Sequence, residues 1–410
     1  MKTARFSKTA FWMIVGFALI IRIAAVLLAG DLLERNMSLD ASSYHAIAQN
    51  LVEHHIFSSP FDPPYHPDQP GTFRPPLTPF FLAAIYAVTG VNLVWGQMGL
   101  AAISAFTCGL TYRLGAQLFD PNIGLLAGVL SCCYPLLLLF VLLPLTEGLS
   151  IFLTLVLLNV LYDEQAGRMR PIILIGLIFG LLLLNKAANI IIFPCLLVWA
   201  LWRVPGSYFA RGIKIGLILI TAAALILPWM LRNLAVTGTF IPINSNGGWT
   251  FYLGNNPHTE KNLIALERGT SNGWVPPQEV YLPFRDLHFG DTRAYETRSL
   301  QLGWQFIGQR PATFLNFAVR KLKIFWSPYR HIVDKITWYP LASLSLIGIG
   351  FSIVHWRKHL LIYILLISSM GIPIMFTSMP RFRAPLMPFL IMYAVFGGMQ
   401  IWRIIKGLRI

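Results

Sequence analysis

Charge is what this sequence has least of. Asp, Glu, Lys and Arg together make up 12% of its 410 residues, where a soluble domain carries about a quarter. The few charges are also unequal, 17 acidic against 32 basic. A water-soluble enzyme is thereby excluded. Cysteine is scarce too: Cys108, Cys132, Cys133 and Cys195 all sit inside apolar runs without metal-ligand spacing. That excludes a disulfide framework or a zinc module and leaves core packing as their role. No P-loop, Gly-rich dinucleotide turn, Gly-x-Ser-x-Gly elbow or Asp-x-Asp pair is present. Internal repeats, low-complexity tracts and basic–aromatic nucleic-acid motifs are absent as well. The net charge of +15 therefore does not point to nucleic acid.

What the chain has in abundance is apolar sequence, 56% hydrophobic residues with a mean hydropathy of +0.62. Apolar runs of about 18 or more residues are what a bilayer demands of spanning helices. The first, "FWMIVGFALIIRIAAVLLAG", follows Lys2, Arg5 and Lys8. No small-residue cleavage site follows it, so it reads as an uncleaved span. Further spans are expected near 92–114, 123–143, 149–162, 171–184, 190–202, 213–231, 338–354, 360–376 and 384–404. The segment 75–90 is apolar but short and bounded by prolines and a glycine, which suits an interfacial or re-entrant helix.

Basic residues then decide the topology, because short cytoplasmic loops collect Lys and Arg. If 75–90 does not cross, the links bearing Arg113, Arg168, Arg170, Arg203, Arg211, Lys214, Arg357, Lys358, Arg403, Lys406 and Arg409 all fall on the N-terminal side. If it crosses, they fall outside. The expectation is an all-α polytopic protein of about ten transmembrane helices, folded as one domain over 1–410. It lies in the cytoplasmic (inner) membrane with both termini in the cytoplasm. A helical first loop (31–90) and a longer loop (232–335) face outward.

With this topology all of the seventeen acids except Asp120, Asp163 and Glu164 face outward, and the outer polar residues gather at span ends. Asp40 follows the first span in "LDASSYHAIAQNL", with Tyr44 one turn on. Arg74 precedes a proline pair in "GTFRPPLTPF", Glu147 follows "LLPLT", and Lys186 interrupts "LLLLNKAANI". Arg232 ends "LPWMLRN", and Arg381 and Arg383 stand in "MPRFRAP". Each has a plainer role. Arg and Lys at span ends snorkel to head groups, and Asp40 is a competent helix N-cap. Arg22, inside the first span, is expected to find a partner on a neighbouring helix. His45, His54, His55 and His66 lack metal-site spacing. The stretch "INSNGGWTFYLGNNP" has the composition of a carbohydrate-contacting surface and equally of an ordinary turn-rich loop.

These stretches carry a resemblance. "DASSYHAIAQNL" followed by "FRPPLTPFFLAAIY" resembles the first-loop signature of the GT-C membrane glycosyltransferases, in particular bacterial relatives of the protein O-mannosyltransferases and of the aminoarabinose lipid A transferase. "LLPLTEGLSIFLTL", "LPWMLRNLAVTGTFIPINSNGGWTFYLGNNP" and "RFRAPLMPFLIMYAVFG" are similar to the same group. The resemblance implies a polyprenyl-phosphate sugar donor used at the outer face. It implies Asp40 as catalytic base, Glu147 as the second-loop acid, and Arg74 as a contact to the donor phosphate. Phe73 stands where the aminoarabinose enzymes carry an acid that helps hold zinc, so no metal or other cofactor is expected. Ala41 replaces the second of the paired acids of the protein mannosyltransferases.

The chemistry fits those residue types. A phosphate leaving group needs cations rather than a general acid, and Arg74, Lys186, Arg232, Arg381 and Arg383 are the supply. The acceptor hydroxyl needs a base, and a single displacement inverts the anomeric centre. Tyr44, Asn233, Asn246 and Asn255 are the candidate substrate contacts. The segment 75–90 is expected to wall a lipid-tail groove with Phe80, Phe81 and Tyr86. The acceptor is a lipid, a glycan or a protein. A lipid-linked glycan polymerase or ligase shares this logic. A transporter fits less well, because its polar residues would gather at the bilayer midplane within inverted repeats.

Overall fold

The computed structural model describes residues 6–34, 37–63, 65–163, 168–269, 273–287, 291–328 and 332–407. Among them every regular element is an α-helix or a short 3-10 turn. Helix α1 (Lys8–Glu34) leads into two shorter ones, α2 (Leu39–Glu53) and α3 (Leu77–Thr89). Then come α4 (Leu93–Leu118), α5 (Pro121–Cys133), α6 (Pro135–Leu142), α7 (Thr146–Leu161) and α8 (Met169–Asn185). A 3-10 turn at Ala187–Ile192 opens α9 (Phe193–Arg203), which is followed by α10 (Tyr208–Thr237). The long polar stretch supplies α11 (Gly247–Gly254), α12 (Thr259–Arg268), α13 (Thr292–Gln309) and α14 (Pro311–Phe325). The chain closes with α15 (Ile332–Ser352), α16 (Trp356–Ser369), α17 (Gly371–Met375) and α18 (Met387–Ile405).

Among the described residues five helical stretches are long and apolar enough to cross a bilayer, and the bent pair α5–α6 makes a sixth. One of the five, Ile332–Met375, holds two helices. Ser352 Oγ and Tyr363 OH lie 2.5 Å apart, whereas a straight helix would set residues eleven apart about 16 Å from each other. The chain therefore turns at Ile353–His355. Helix α3, expected to be too short to cross, has 13 residues. Three segments read as spans are also shorter than the 18-residue minimum, α7 with 16 residues, α8 with 17, and 187–203. The reason is local. They stop at a buried polar network in which Asn185 donates to the Thr146 carbonyl at 2.7 Å and to Ser150 Oγ at 2.8 Å, and Thr78 donates to Asn185 at 2.7 Å. Asn189 donates to Ser150 Oγ and the Leu182 carbonyl.

Arg22 is fully buried among α1, α4 and α5. The bend of 49° between α5 and α6 falls at Pro135, which has no N–H to offer, and leaves the last carbonyls of α5 without helical partners. Arg22 donates to two of them, Ser131 at 3.3 Å and Cys132 at 3.1 Å, and to Ser104 Oγ at 2.7 Å. In a bilayer no water would satisfy those oxygens. Cys108, Cys132 and Cys195 are buried as expected, but Cys133 is exposed on the bundle surface, because one residue along a helix turns about 100°.

Helices α15 and α18 touch backbone to backbone. A Cβ built on Gly348 would lie 1.9 Å from the Tyr393 carbonyl oxygen, and one on Gly397 would lie 2.3 Å from that of Leu344. Small residues allow such an approach between apolar helices. Helix α18 carries the 3-10 turn Pro380–Leu386 at its start, so this close packing fixes where that turn stands.

Candidate active site

Helix α2 starts at Ser38, whose hydroxyl accepts the Ala41 N–H at 3.3 Å. Capping by Ser38 leaves the Asp40 carboxylate in the first turn free for other partners, in favourable alignment with the helix dipole. Helix α2 buries Ala41, Ser43, Tyr44, Ile47 and Ala48, and His45 Nδ1 lies 2.9 Å from Tyr86 OH on α3. Asp40 is thus held at the edge of a packed surface, with 31% of its side chain exposed.

Two arginines converge on it. Arg74 Nη1 donates to Asp40 Oδ1 at 2.7 Å, and Arg381 Nη2 donates to Oδ2. Arg74 comes from the loop before Pro75 and Pro76, with its guanidinium 5.4 Å from the Tyr44 ring centroid. Arg381 comes from the 3-10 turn before α18 and places its Nε 4.0 Å from Glu147 Oε1. Glu147, in the first turn of α7, is buried and 3.3 Å from Lys186 Nζ at the end of α8. Arg74 also turns its Nε and Nη2 onto Asp62, at 3.0 Å and 2.8 Å from Oδ1. The sequence Asp62, Arg74, Asp40, Arg381, Glu147, Lys186 is therefore a ladder of alternating charge drawn from separate elements. Burial acts to raise the Asp40 carboxyl, but Arg381 and Arg74 outweigh it and hold the group well below the usual carboxylate range. Burial keeps the Tyr44 phenol protonated.

Asp40, Arg74, Glu147, Lys186 and Arg381 are thus brought together, with Tyr44 against Arg74. The other candidates lie elsewhere. Arg383 is fully buried and donates to the Phe325 and Ser327 carbonyls and to Asp334, its guanidinium 3.9 Å from the Trp338 ring centroid. It fastens the connection between α14 and α15. Arg232 donates to the Gly71 carbonyl at 2.6 Å and stacks on Trp229, at the side of an apolar groove of about 520 Å³. Asn233 is buried and donates to the Ile241 and Ile243 carbonyls. Asn255 is buried and donates to Phe251 and Met375 carbonyls. Asn246 accepts from Asn244 through its side chain and from Thr250 through its carbonyl. The side chains of Asn233 and Asn255 thus bond backbone carbonyls, whereas that of Asn246 pairs with the Asn244 side chain. Phe80 lines the groove with Phe57, Leu77, Leu184 and Leu225. Tyr86 is buried against α2 instead, and Phe81 approaches Gly99 on α4.

Asp62 was not among the sequence candidates. It sits between Phe61 and Pro63 in a loop whose course only the fold reveals, and it is 4% exposed. Among the described residues no group of three His, Cys, Asp or Glu side chains is close enough to hold a metal.

With the ladder defined, known proteins give it a context. The family model described as dolichyl-phosphate-mannose-protein mannosyltransferase matches residues 73–231. That range contains Arg74, Glu147 and Lys186 but not Asp40 or Arg381. No curated protein sequence matches the chain. Two solved structures of the oligosaccharyltransferase of Archaeoglobus fulgidus superpose with TM-scores of 0.56 and 0.58, each at 14% identity. The first is AglB in complex with an inhibitory peptide and a dolichol-phosphate, and the second is the apo form. They cover 97% and 98% of this chain and 51% and 52% of their own, so the chain spans about half the length of these relatives. ArnT from Cupriavidus metallidurans bound to undecaprenyl phosphate matches at 11% identity and TM-score 0.44, over 96% of this chain and 78% of its own. The architecture is that of a GT-C membrane glycosyltransferase: an all-α, multi-pass membrane protein.

Proposed function

We propose that the chain transfers a sugar from a polyprenyl-phosphate-linked donor to a hydroxyl acceptor at the extracytoplasmic face of the cytoplasmic membrane. Both termini lie in the cytoplasm, and the loops 31–90 and 232–335 lie outside. The observation that carries this reading is Asp40, a partly exposed carboxylate between two guanidiniums. Base and phosphate-binding cations are thereby side by side at the mouth of a membrane-embedded bundle.

In the reaction the acceptor oxygen attacks the anomeric carbon while Asp40 takes its proton. The bond from that carbon to the phosphate oxygen breaks, and its electron pair leaves on polyprenyl phosphate. Arg74 and Arg381 are placed to take up the developing charge, with Lys186 behind them paired to Glu147. A single displacement inverts the anomeric configuration. The relatives' ligands support the donor class, since one solved oligosaccharyltransferase holds a dolichol-phosphate. The groove beside Phe80 and Trp229 suits an isoprenoid tail. Incubating membranes with a radiolabelled undecaprenyl-phosphate sugar tests the reading: label should move to a lipid, glycan or protein fraction, and its complete retention on the donor would refute it.

A further inference from the structure

The ladder is charge-balanced before any substrate arrives. Asp62, Asp40 and Glu147 face Arg74, Arg381 and Lys186. A donor phosphate is a further anion, and to bridge Arg74 and Arg381 it must take the place between them that Asp40 already holds. Asp62 and Asp40 hold Arg74 very differently. Asp62 is buried and takes the Nε–Nη2 edge of the guanidinium. It also accepts the hydroxyl of Ser43, one turn from Asp40 on α2, so it ties Arg74 to the helix that carries the base. Asp40 takes only Nη1 of Arg74 and only Nη2 of Arg381, and it is the more exposed acid. Bidentate pairing is the stronger and more directional of the two.

We propose that Asp62 is a positioning residue that anchors Arg74 by one edge, so that the donor phosphate displaces Asp40 from the other edge and from Arg381, and so frees Asp40 to act as base. The proposal rests on the polyprenyl-phosphate reading. Asp40, paired with both arginines, stands where the phosphate will bind. A carboxylate gripped by two guanidiniums is a poor proton acceptor, so the base becomes competent when the donor is in place. The groups facing Asp40 are Arg74 from the loop before α3, Arg381 from the turn before α18, Glu147 from α7 and Tyr44 from its own helix. Among these only the two arginines hold Asp40 by the contacts described above. Without Asp62, Arg74 is free to turn both edges onto Asp40, and Asp40 becomes the stronger competitor.

The test measures dissociation constants for undecaprenyl phosphate with four purified proteins: wild type, Asp40→Asn, Asp62→Asn and the double variant. Each is checked for monodispersity and thermal unfolding. Asp40→Asn should bind about tenfold more tightly than wild type, because a competing anion is gone. The same substitution should give a larger gain in the Asp62→Asn background, the coupling expected of residues sharing one partner. Unchanged or weaker binding by a folded Asp40→Asn protein would overturn the competition. Equal gains in the two backgrounds would overturn the positioning role, since a merely structural role would shift both affinities alike. Failure of all four proteins to bind would instead overturn the donor class, and this inference with it.

Discussion

Replacing Asp40 by Asn changes one oxygen for an NH₂ group and removes one charge, with little change in volume. In the structure that charge faces Arg74 and Arg381, and both arginines keep a carboxylate neighbour without it, Asp62 and Glu147 respectively. The fold should therefore persist. The pairing stabilises the fold by more than an exposed ion pair would, because Arg74 and Arg381 are largely buried and hold the carboxyl well below its usual range, so a moderate drop in the melt is expected without loss of the fold. Catalysis should suffer far more. A positioned general base is worth about 10²–10⁴-fold, and Glu147 is buried and engaged with Lys186, so it is a poor substitute. Transfer should fall by about 10³-fold, far more than a moderate loss of stability in a still cooperative melt accounts for. The pH dependence has a definite sign. The Asp40 carboxyl is depressed in the fold, so its stabilisation is present above the unfolded carboxylate range and fades as pH falls through and below it. The Asn variant should lack that part of the acid sensitivity. Label transfer from a radiolabelled polyprenyl-phosphate sugar, beside a thermal melt, measures both. Wild-type transfer by Asp40→Asn would refute the base assignment, and loss of transfer with a collapsed melt would refute the claim that the residue is catalytic rather than structural.

Three further predictions concern the scaffold. Arg22→Leu strips the buried Ser131 and Cys132 carbonyls of their donor; each orphaned group costs about 1–3 kcal/mol, so the melt in detergent should drop clearly, and an unchanged melt would deny Arg22 its capping role. Gly348→Ala puts a Cβ 1.9 Å from the Tyr393 carbonyl oxygen; prying α15 from α18 should cost about 1–3 kcal/mol and reduce transfer by shifting the turn that bears Arg381, while undiminished stability would exclude the close contact. Burial pushes the Glu296 carboxyl up to about 7, against the Gly248 N–H it accepts. A raised folded value means stability is lost as pH climbs from the unfolded carboxylate range to about 7, so Glu296→Gln should flatten that decline and raise the melt at pH 8; a wild-type pH profile in the variant would contradict it.

What the sequence disclosed, and what it did not, follows from the geometry of each segment. Apolar length was readable because a bilayer imposes one rule on every span. Asp40, Arg74, Glu147 and Lys186 were legible for a related reason: each interrupts or ends an apolar run, and a charge there needs a partner. Arg381 and Arg383 looked equivalent in "PRFRAP", yet they fall in a 3-10 turn, where two residues along means 240° around the axis. One therefore reaches Asp40 while the other is buried against Trp338 and Asp334. Asn is favoured both by sugar contacts and by turns that need side-chain bonds to backbone, so composition alone does not separate the two uses at Asn233, Asn246 and Asn255. Asp62 was out of reach for the opposite reason. Its loop has no periodicity to reveal which way a side chain points, and its partners Ser43 and Arg74 lie nineteen and twelve residues away. Arg74 makes three bonds to Asp62 and one to Asp40, so Asp40 is the less tightly held of the two acids, the asymmetry that release of a base by its substrate would require.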